Sequence, residues 1–563
     1  MPILETSASC SVRIDNKEIK CDISSIQLDQ YIDDHHTLQV RLRQVGKASN
    51  ASDFDDPATY TSFLGKSLSL SIKPLGGVID PSRELEFIGL VTQVNIDNSI
   101  DGLNTVLIIA KSPTISLDGY KHNVFYKDQT VSDIIGSILQ RYPITLGSME
   151  STKGTPKFIV QYRETDYGFI MRLAGSNGKF AFYDGKEFRL TKANGSNVEE
   201  LVWRESLGSF SYGLGTAAFE HNAKVYNYEQ KKEYAQDTKS LPPQSALSTM
   251  SKMAPDAAKN IYTDSGVSVS SKIVPDTQTL DEMLQNEKNS VLGKMIDCLG
   301  QSIIPKVMAG HCLKVKGMDK LDGTFWIKSV RHIFTESGKY HNTFECTPLD
   351  IAFPPIKSSL PPFTELQSAE VVDNYDPDKL GRIKVKFPWN DSETIWVRFM
   401  TLYAGKNRGW FCLPEIGDEV LVGYEQGNPD IPIALGALQN KDNPPHSDTD
   451  NSQNDVKMFM TKGGNEIYFM DEAGNEQIKI LMKDGKNSII MELGSSTPKI
   501  TIESKGDISI IGDNVSIESK KDIKIKAGAN LNTEGMAIKE KSSSTLDIEG
   551  AMVTVKGNPI QLN

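Results

Sequence analysis

From Met470 to Asn563 the chain contains no Phe, Tyr, Trp, Cys or His. Aromatic side chains bring the largest buried area per residue, so this stretch lacks the means to fill an ordinary globular core. The six cysteines (Cys10, Cys21, Cys298, Cys312, Cys346 and Cys412) are scattered without any CxxC. That excludes a dense disulfide framework and a zinc ribbon, and it implies reduced thiols in a chain made and folded in the cytosol. Met1-Pro2-Ile3-Leu4-Glu5 has no basic region followed by an apolar run, which excludes a cleavable signal peptide. No window reaches the roughly 18 apolar residues of a membrane-spanning helix. Excess positive charge is missing too: 61 Lys and Arg face 73 Asp and Glu, a net charge of -12. A general nucleic-acid binder needs the opposite balance to neutralise phosphates.

Catalytic signatures are equally scarce. The eight histidines, His35, His36, His122, His221, His311, His332, His341 and His446, form neither HExxH nor a compact Cys/His cluster, so no metal or other cofactor is expected. His332 and His341 flank an expected hairpin and could face each other across it. Glu84 and Glu86 lie two apart in a strand pattern, where a solvated face is the simpler reading than a hydrolytic dyad.

What is present is mostly strand. A chain of 563 residues is too long for one core and implies three or four domains. Residues 1–365 read as one β-rich unit, plausibly two barrels. Alternating runs such as Leu38-Gln-Val-Arg-Leu-Arg43 and Leu68-Ser-Leu-Ser-Ile72 carry it. Asn50 to Tyr60 reads as a loop. Thr130 to Tyr142 has apolar residues at helical spacing and ends at Pro143, and Asp166 to Ala174 predicts a second helix capped by Thr165. Residues 238–275, rich in Ser, Pro and Lys, show little periodicity and read as a linker. Leu280 to Leu299 reads as helix, and Phe353 to Phe363 as a stiff proline-rich connector. Residues 366–445 have the size and strand content of an OB-type barrel, with Trp389, Trp396 and Trp410 expected in its core.

Residues 446–563 hold short alternating pairs: Ile500-x-Ile502, Ile508-x-Ile510, Val515-x-Ile517, Ile523-x-Ile525, Leu546-x-Ile548 and Val553-x-Val555. Each repeat supplies one small strand and a turn with two inward side chains. So few apolar atoms per repeat favour a core shared between chains over the alternatives of a single-chain solenoid or a disordered polar tail. Copies winding about a common axis would bury those atoms, giving a β-prism with no free edge.

Five motifs in order then resemble the VgrG (valine-glycine repeat) spike proteins of type VI secretion, themselves related to the hub and spike proteins of contractile phage tails. The first runs from Val160 to Ala174 and includes Gln161, Tyr162, Glu164, Asp166, Phe169 and Arg172. The second is Gly381-Arg382-Ile-Lys-Val-Lys-Phe387-Pro388-Trp389, followed by Trp396-Val-Arg398. Trp410 to Gly423 supplies Pro414, Gly417 and Asp418, and Gly427-Asn-Pro429-Asp430-Ile-Pro-Ile433 completes the set. The tail departs from a strict valine-glycine octad, since isoleucine dominates and the spacing slips to seven.

The resemblance implies a mainly β protein: a phage-hub-like double barrel with short helices, an OB collar and a C-terminal intertwined triple-stranded β-helix in a homotrimer. It implies a non-enzymatic spike that caps a hexameric inner tube, meets baseplate proteins and punctures a target envelope while delivering effectors loaded with their chaperones. The end of the needle, Pro559, Ile560, Leu562 and Asn563, would receive a PAAR-repeat tip protein. Nucleic acid is not an expected partner, and membrane contact would come only by forced penetration. The chain would be cytoplasmic during assembly and then injected by a signal-independent route. Only about 15 residues separate the OB module from the first tail strands and the sequence stops after the needle, so no lysozyme or fused toxin is expected. A phage-tail or extracellular-particle spike is the alternative, and a polysaccharide-degrading tail spike a more distant one.

Overall fold

The computed structural model describes residues 4–19, 21–43, 57–75, 79–97, 105–241, 246–270, 272–356, 365–390, 394–494 and 497–561. Leu562 and Asn563 of the expected tip lie outside the described residues, as do 50–56 of the expected loop and 357–363 of the expected connector. The chain divides into two units, Met1–Pro444 and Pro445–Asn563.

In the first unit, eight strands hydrogen-bond in an unbroken ring. Asp22–Tyr31 pairs with Thr37–Arg43, which pairs with Thr105–Lys111. The ring continues through Leu85–Asp97, Ser67–Pro74 and Thr6–Ile14. It closes through the hairpin Gly323–Thr335/Lys339–Pro348 back to Asp22–Tyr31. The alternation seen in the sequence decides which side faces in: Leu38, Val40, Leu42, Leu68, Leu70, Ile72, Val106 and Ile108 are all buried in one core.

The hairpin is long enough to serve a second group of strands. Its outer half pairs within the ring, while its base pairs with Cys312–Lys316 on one side and Ile296–Ser302 on the other. Leu207–Leu214 and Val198–Val202 extend that group around a separate core that includes Leu201, Leu313, Phe325 and Phe344. Gly310, at φ +79°, marks how tightly the elements meet, because a Cβ there would fall 1.9 Å from the Phe182 ring. The paired histidine expectation fails on register: His332 opposes Asn342 and His341 opposes Ile333, so the two rings leave opposite faces of the hairpin. Glu84 and Glu86 are held in ion pairs with Lys73 (2.9 Å) and Lys186.

Helices Val131–Leu139 and Asp166–Ser176 form where spacing predicted them, with Thr130 and Thr165 as N-caps accepting from Asp133 N and Gly168 N. Two other expectations are corrected. The supposed linker contains helix Thr249–Ile261, capped by Ser248, and strand Val267–Ser270. Its buried stripe is Ser251, Ala254, Pro255 and Ala258, a helical spacing built from small residues that a search for large apolar side chains misses. The stretch read as one helix from Leu280 to Leu299 is helix Thr277–Leu292, then Gly293, then strand Ile296–Ser302.

A smaller closed barrel ends the unit: Gln367–Asp373, Ile383–Lys386, Ile395–Phe399, Pro432–Leu438 and Glu419–Tyr424, each strand paired with the next and the last with the first. Of the three tryptophans expected in its core, only Trp389 packs there. In Ile395–Phe399 the inward parity belongs to Ile395 and Val397, which puts Trp396 outside beneath Arg382 and Lys384. Trp410 lies on an exposed loop.

The second unit opens with an antiparallel meander of Val456–Met460, Glu466–Met470, Gln477–Leu481, Asn487–Glu492 and Lys499–Ser504. Beyond Ser504 the described residues form no further strand and every one is exposed.

Candidate functional site

The first family-like motif builds a joint between the large barrels and the small one. Strand Phe158–Glu164 pairs with His122–Lys127, and helix Asp166–Ser176 follows after the Thr165 cap. One helical turn and a half therefore brings Arg172 back over Glu164. Arg172 Nε donates to Glu164 Oε1 (2.8 Å), and its terminal nitrogen donates to Glu164 Oε2 (2.6 Å) and Val160 O (3.0 Å). The amide of Val160 donates to Asp430 Oδ1 (2.9 Å) from the small barrel's Gly427–Ile433 loop. Burial pushes the Asp430 carboxyl upward, and the Arg172 charge acts against that shift.

Gln161 and Asp166 form a second buried lock. Gln161 Nε2 donates to Asp166 Oδ1 (2.8 Å) and to Glu164 O (3.2 Å). Asp166 Oδ2 accepts from Arg141 (2.9 Å) and from the Tyr142 hydroxyl (2.5 Å). Phe169 is fully buried and stacks on Tyr126.

Tyr162 points the other way, into the small barrel. Its ring meets Trp389 edge-on at 5.7 Å, and Trp389 stacks on Phe387 at 5.3 Å and leans on Phe125 at 5.0 Å. Phe125, Val160 and Tyr162 thus share one core with Val371, Ile383, Val385 and Phe387. Polar contacts ring this seam. Lys127 Nζ donates to Thr394 O, and Arg398 pairs with Glu425 (3.2 Å) and lies over Tyr228 at 4.5 Å.

Arg382 anchors the seam from the barrel side. It is buried, bonds both oxygens of Asp376 and reaches Asp378 and Glu229. Burial alone would raise the Asp376 pKa, but the guanidinium and three backbone N–H groups override it and bring it down to about 2. Gly381, Gly417 and Gly427 all sit in the left-handed region, at φ +72°, +94° and +71°, where a Cβ is strained. Pro414 is buried and its carbonyl accepts from Asn374, while Asp418 Oδ2 accepts from Glu415 N. Pro388 is exposed and Pro429 half-buried. Pro559 and Ile560, in the second unit, are exposed.

Sequence reasoning missed Asp376, Phe125, Tyr228 and Glu229. Asp376 carried a signal: an Asp-Pro-Asp turn six residues before a motif arginine. Phe125, on strand His122–Lys127, and Tyr228 and Glu229, in the turn after strand Asn222–Asn227, lie far from the small barrel in sequence and carried none.

The charged groups of the seam are committed to one another. The seam carboxylates are held by cations and amides, while His36 and His332 lie outside it, beside Phe87 and Tyr340 in the core of the large ring, where burial pushes them down to about 4 and about 3. His332 Nδ1 bonds the Tyr340 hydroxyl (2.7 Å). The arrangement resists displacement of one barrel against the other.

The meander carries the second notable surface. Cross-strand register aligns Phe459, Ile467, Ile480, Ile489 and Ile502 in one row, and Phe469, Ile478, Met491 and Ile500 in the next. Both rows lie on the same face, and all nine side chains are exposed, Ile500 by 70 %.

Comparison with known proteins agrees with this architecture. Residues 367–438 match the type VI secretion system/phage-baseplate injector OB domain. An Alg8 N-terminal domain model matches 79–336, a span that omits five of the eight strands of the closed ring and so follows no structural boundary. The type VI secretion system spike protein VgrG1a of Pseudomonas aeruginosa is 24 % identical over 478 residues, covering 76 % of this chain and 71 % of the relative. The actin cross-linking toxin VgrG1 of Vibrio cholerae is 25 % identical, covering 65 % of this chain but only 36 % of the toxin. Two solved structures share the fold. An Escherichia coli component of the type VI secretion system, described as similar to bacteriophage T4 gp27 and gp5, gives a TM-score of 0.52 at 15 % identity, covering 76 % of this chain and 99 % of that one. The VgrG-containing Francisella PdpA-VgrG complex gives 0.57 at 9 % identity, covering 89 % of each chain.

Proposed function

We propose that this chain is a VgrG-type spike protein of type VI secretion and works as one of three identical subunits of a force-bearing spike. One observation carries the trimer: the second unit cannot bury its own apolar residues. The nine-residue face of the meander is open, and Ile508, Ile510, Val515, Ile517, Ile523, Ile525, Leu546, Ile548, Val553 and Val555 are each more than half exposed. A polar disordered tail would not place β-branched residues in pairs at a short repeat. Three chains sharing one axis turn those pairs inward and satisfy every strand edge.

The large barrels then cap a hexameric tube and meet the baseplate, and the small barrel forms a collar. The joined tails act as the needle, whose end around Pro559 and Ile560 receives a PAAR-repeat tip protein. Contraction drives the assembly through the target envelope with its effectors and no catalytic step. In this reading the subunit assembles in the cytosol and leaves by injection. A phage-like or extracellular particle would use the same mechanics.

Light scattering coupled to size exclusion tests the proposal. A mass near three times 62.2 kDa is the expected result, and a monodisperse monomer would overturn it.

A further inference from the structure

Two strands of the second group set a pair of thiols against each other. Ile296–Ser302 runs antiparallel to Lys339–Pro348 without a bulge, and Cys298 opposes Cys346. Residues opposite each other in such a ladder carry their side chains on one face, with Cα atoms about 4.5–5.5 Å apart. A disulfide spans Cα separations of about 4.4–6.8 Å. Both side chains belong to the core that holds Phe325 and Phe344, both are fully buried, and both are free thiols. Burial pushes the Cys346 thiol up, and its hydrogen bond with Cys298 pushes it further.

The register is pinned from both faces at this point. Inside, Gly300 leaves room for the Phe344 ring opposite it, since a Cβ there would fall 2.2 Å from that ring. Outside, Lys328 pairs with Asp297 and with Glu345 (2.7 Å), the residues immediately before the two cysteines. A slip of one residue would break both arrangements. On its other side Cys298 opposes Tyr212, which is half-buried on Leu207–Leu214, the strand at the end of the sheet. Fraying of that edge strand gives a reagent a way to the sulfurs. Cys312, by contrast, is committed elsewhere: it opposes Trp326, and its Sγ donates to Asn194 O at 2.9 Å.

We propose that Cys298 and Cys346 form a disulfide site, reduced when the chain is made and closed by thiol–disulfide exchange in an oxidising compartment. The oxidant is a small disulfide such as oxidised glutathione. One cysteine thiolate attacks it, releasing one glutathione thiol and leaving a mixed disulfide. The second thiolate attacks the protein sulfur of that mixed disulfide, forming the Cys298–Cys346 bond and releasing the second glutathione. Two electrons pass to the glutathione pair, and the two protons lost by the cysteines end on the departing thiols. The bond closes a loop of about 50 residues and ties Ile296–Ser302 to the hairpin that serves both groups of strands. Glutathione keeps thiols reduced in the cytosol, whereas disulfides persist outside it, so the injection proposed above carries the pair from one regime to the other. That consequence rests on the injection reading, while the site itself rests on the register.

The test incubates the folded full-length protein with oxidised glutathione, blocks remaining thiols with iodoacetamide in urea, and maps peptides without reduction. The expected result is loss of both alkylated peptides and gain of one peptide joining Cys298 to Cys346, reversed by dithiothreitol. In Cys346→Ala the same treatment yields no such linkage. Both cysteines still alkylated after oxidation, or a linkage that forms only when the protein is unfolded in urea beforehand, overturns the proposal. Failure of the thiol pair leaves the trimer reading standing, and a monomer that carries the linked peptide overturns the trimer and keeps the disulfide site.

Discussion

Replacing Arg172 by Met tests the joint where its chemistry is most exposed to failure. The substitution keeps an unbranched apolar stem, removes the guanidinium that lies over Phe169 and deletes the charge that serves Glu164 and Asp430 together. Glu164 is 8 % exposed and Asp430 is half-buried, so two carboxylates lose their cation at once. Removing one partner of a buried pair costs about 3–5 kcal/mol, because an uncompensated charge stays behind. With a urea dependence of about 3 kcal/mol per molar, the transition that opens the joint moves down by roughly 1 M or more. Trp389, packed between Tyr162 and Phe387, reports that transition by its fluorescence. The pH dependence supplies the sign. Burial already raises the Asp430 carboxyl, and losing the guanidinium removes the charge that opposes that rise, so protonation favours the folded joint. The deficit is therefore largest near pH 7.5 and shrinks as pH falls toward 5. Adding Glu164→Gln and Asp430→Asn to the variant recovers much of the loss at neutral pH. A shift below about 0.3 M at both pH values would refute the reasoning, because the seam would then be held by its aromatic contacts alone.

Three further outcomes follow from other parts of the chain. Asp376→Asn flattens the acid-unfolding profile, because the native carboxyl is depressed to about 2; its contribution is complete above pH 4 and lost as pH falls toward 2, which tryptophan fluorescence across an acid titration reads directly. Ile480→Lys, in the middle of the open meander face, reduces the light-scattering mass from trimer toward monomer, while circular dichroism of the barrels stays unchanged. Gly310→Ala puts a Cβ onto Phe182 in a left-handed backbone position, so the protein partitions to the insoluble fraction on expression, and a wild-type yield of soluble trimer would contradict that packing.

Elements that depend on local chemistry were legible in advance. Thr165 before Asp166, with apolar residues three and four apart, defines a helix from its own neighbours. The Leu38–Leu42 and Leu68–Ile72 alternations define strands in the same way. The misreadings have physical causes. Helix Thr249–Ile261 buries Ser251, Ala254 and Ala258, whose small side chains let it pack closely but give no hydrophobic signal. Trp396 looked like core by residue type, yet Ile395 and Val397 own the inward parity of a five-residue strand. The hairpin Gly323–Thr335/Lys339–Pro348 reads as one hairpin, and only pairing with strands hundreds of residues away shows it serving two barrels. The joint was legible as a motif but not as a contact, because Asp430 lies 270 residues beyond Val160.

The choice of charges at that joint is itself informative. A buried ion pair is seldom more stabilising than an apolar pair of the same volume, and Tyr162, Trp389, Phe387 and Phe125 already supply apolar burial. What Arg172, Glu164 and Asp430 add is direction. A bidentate guanidinium–carboxylate pair tolerates little rotation, whereas stacked rings slide. The small barrel is thereby fixed in angle on the larger ones as well as held to them. A monomeric protein has little use for a fixed angle between two barrels. The proposed spike of three copies needs it, since an angular error in each subunit would misplace the small barrels about the shared axis.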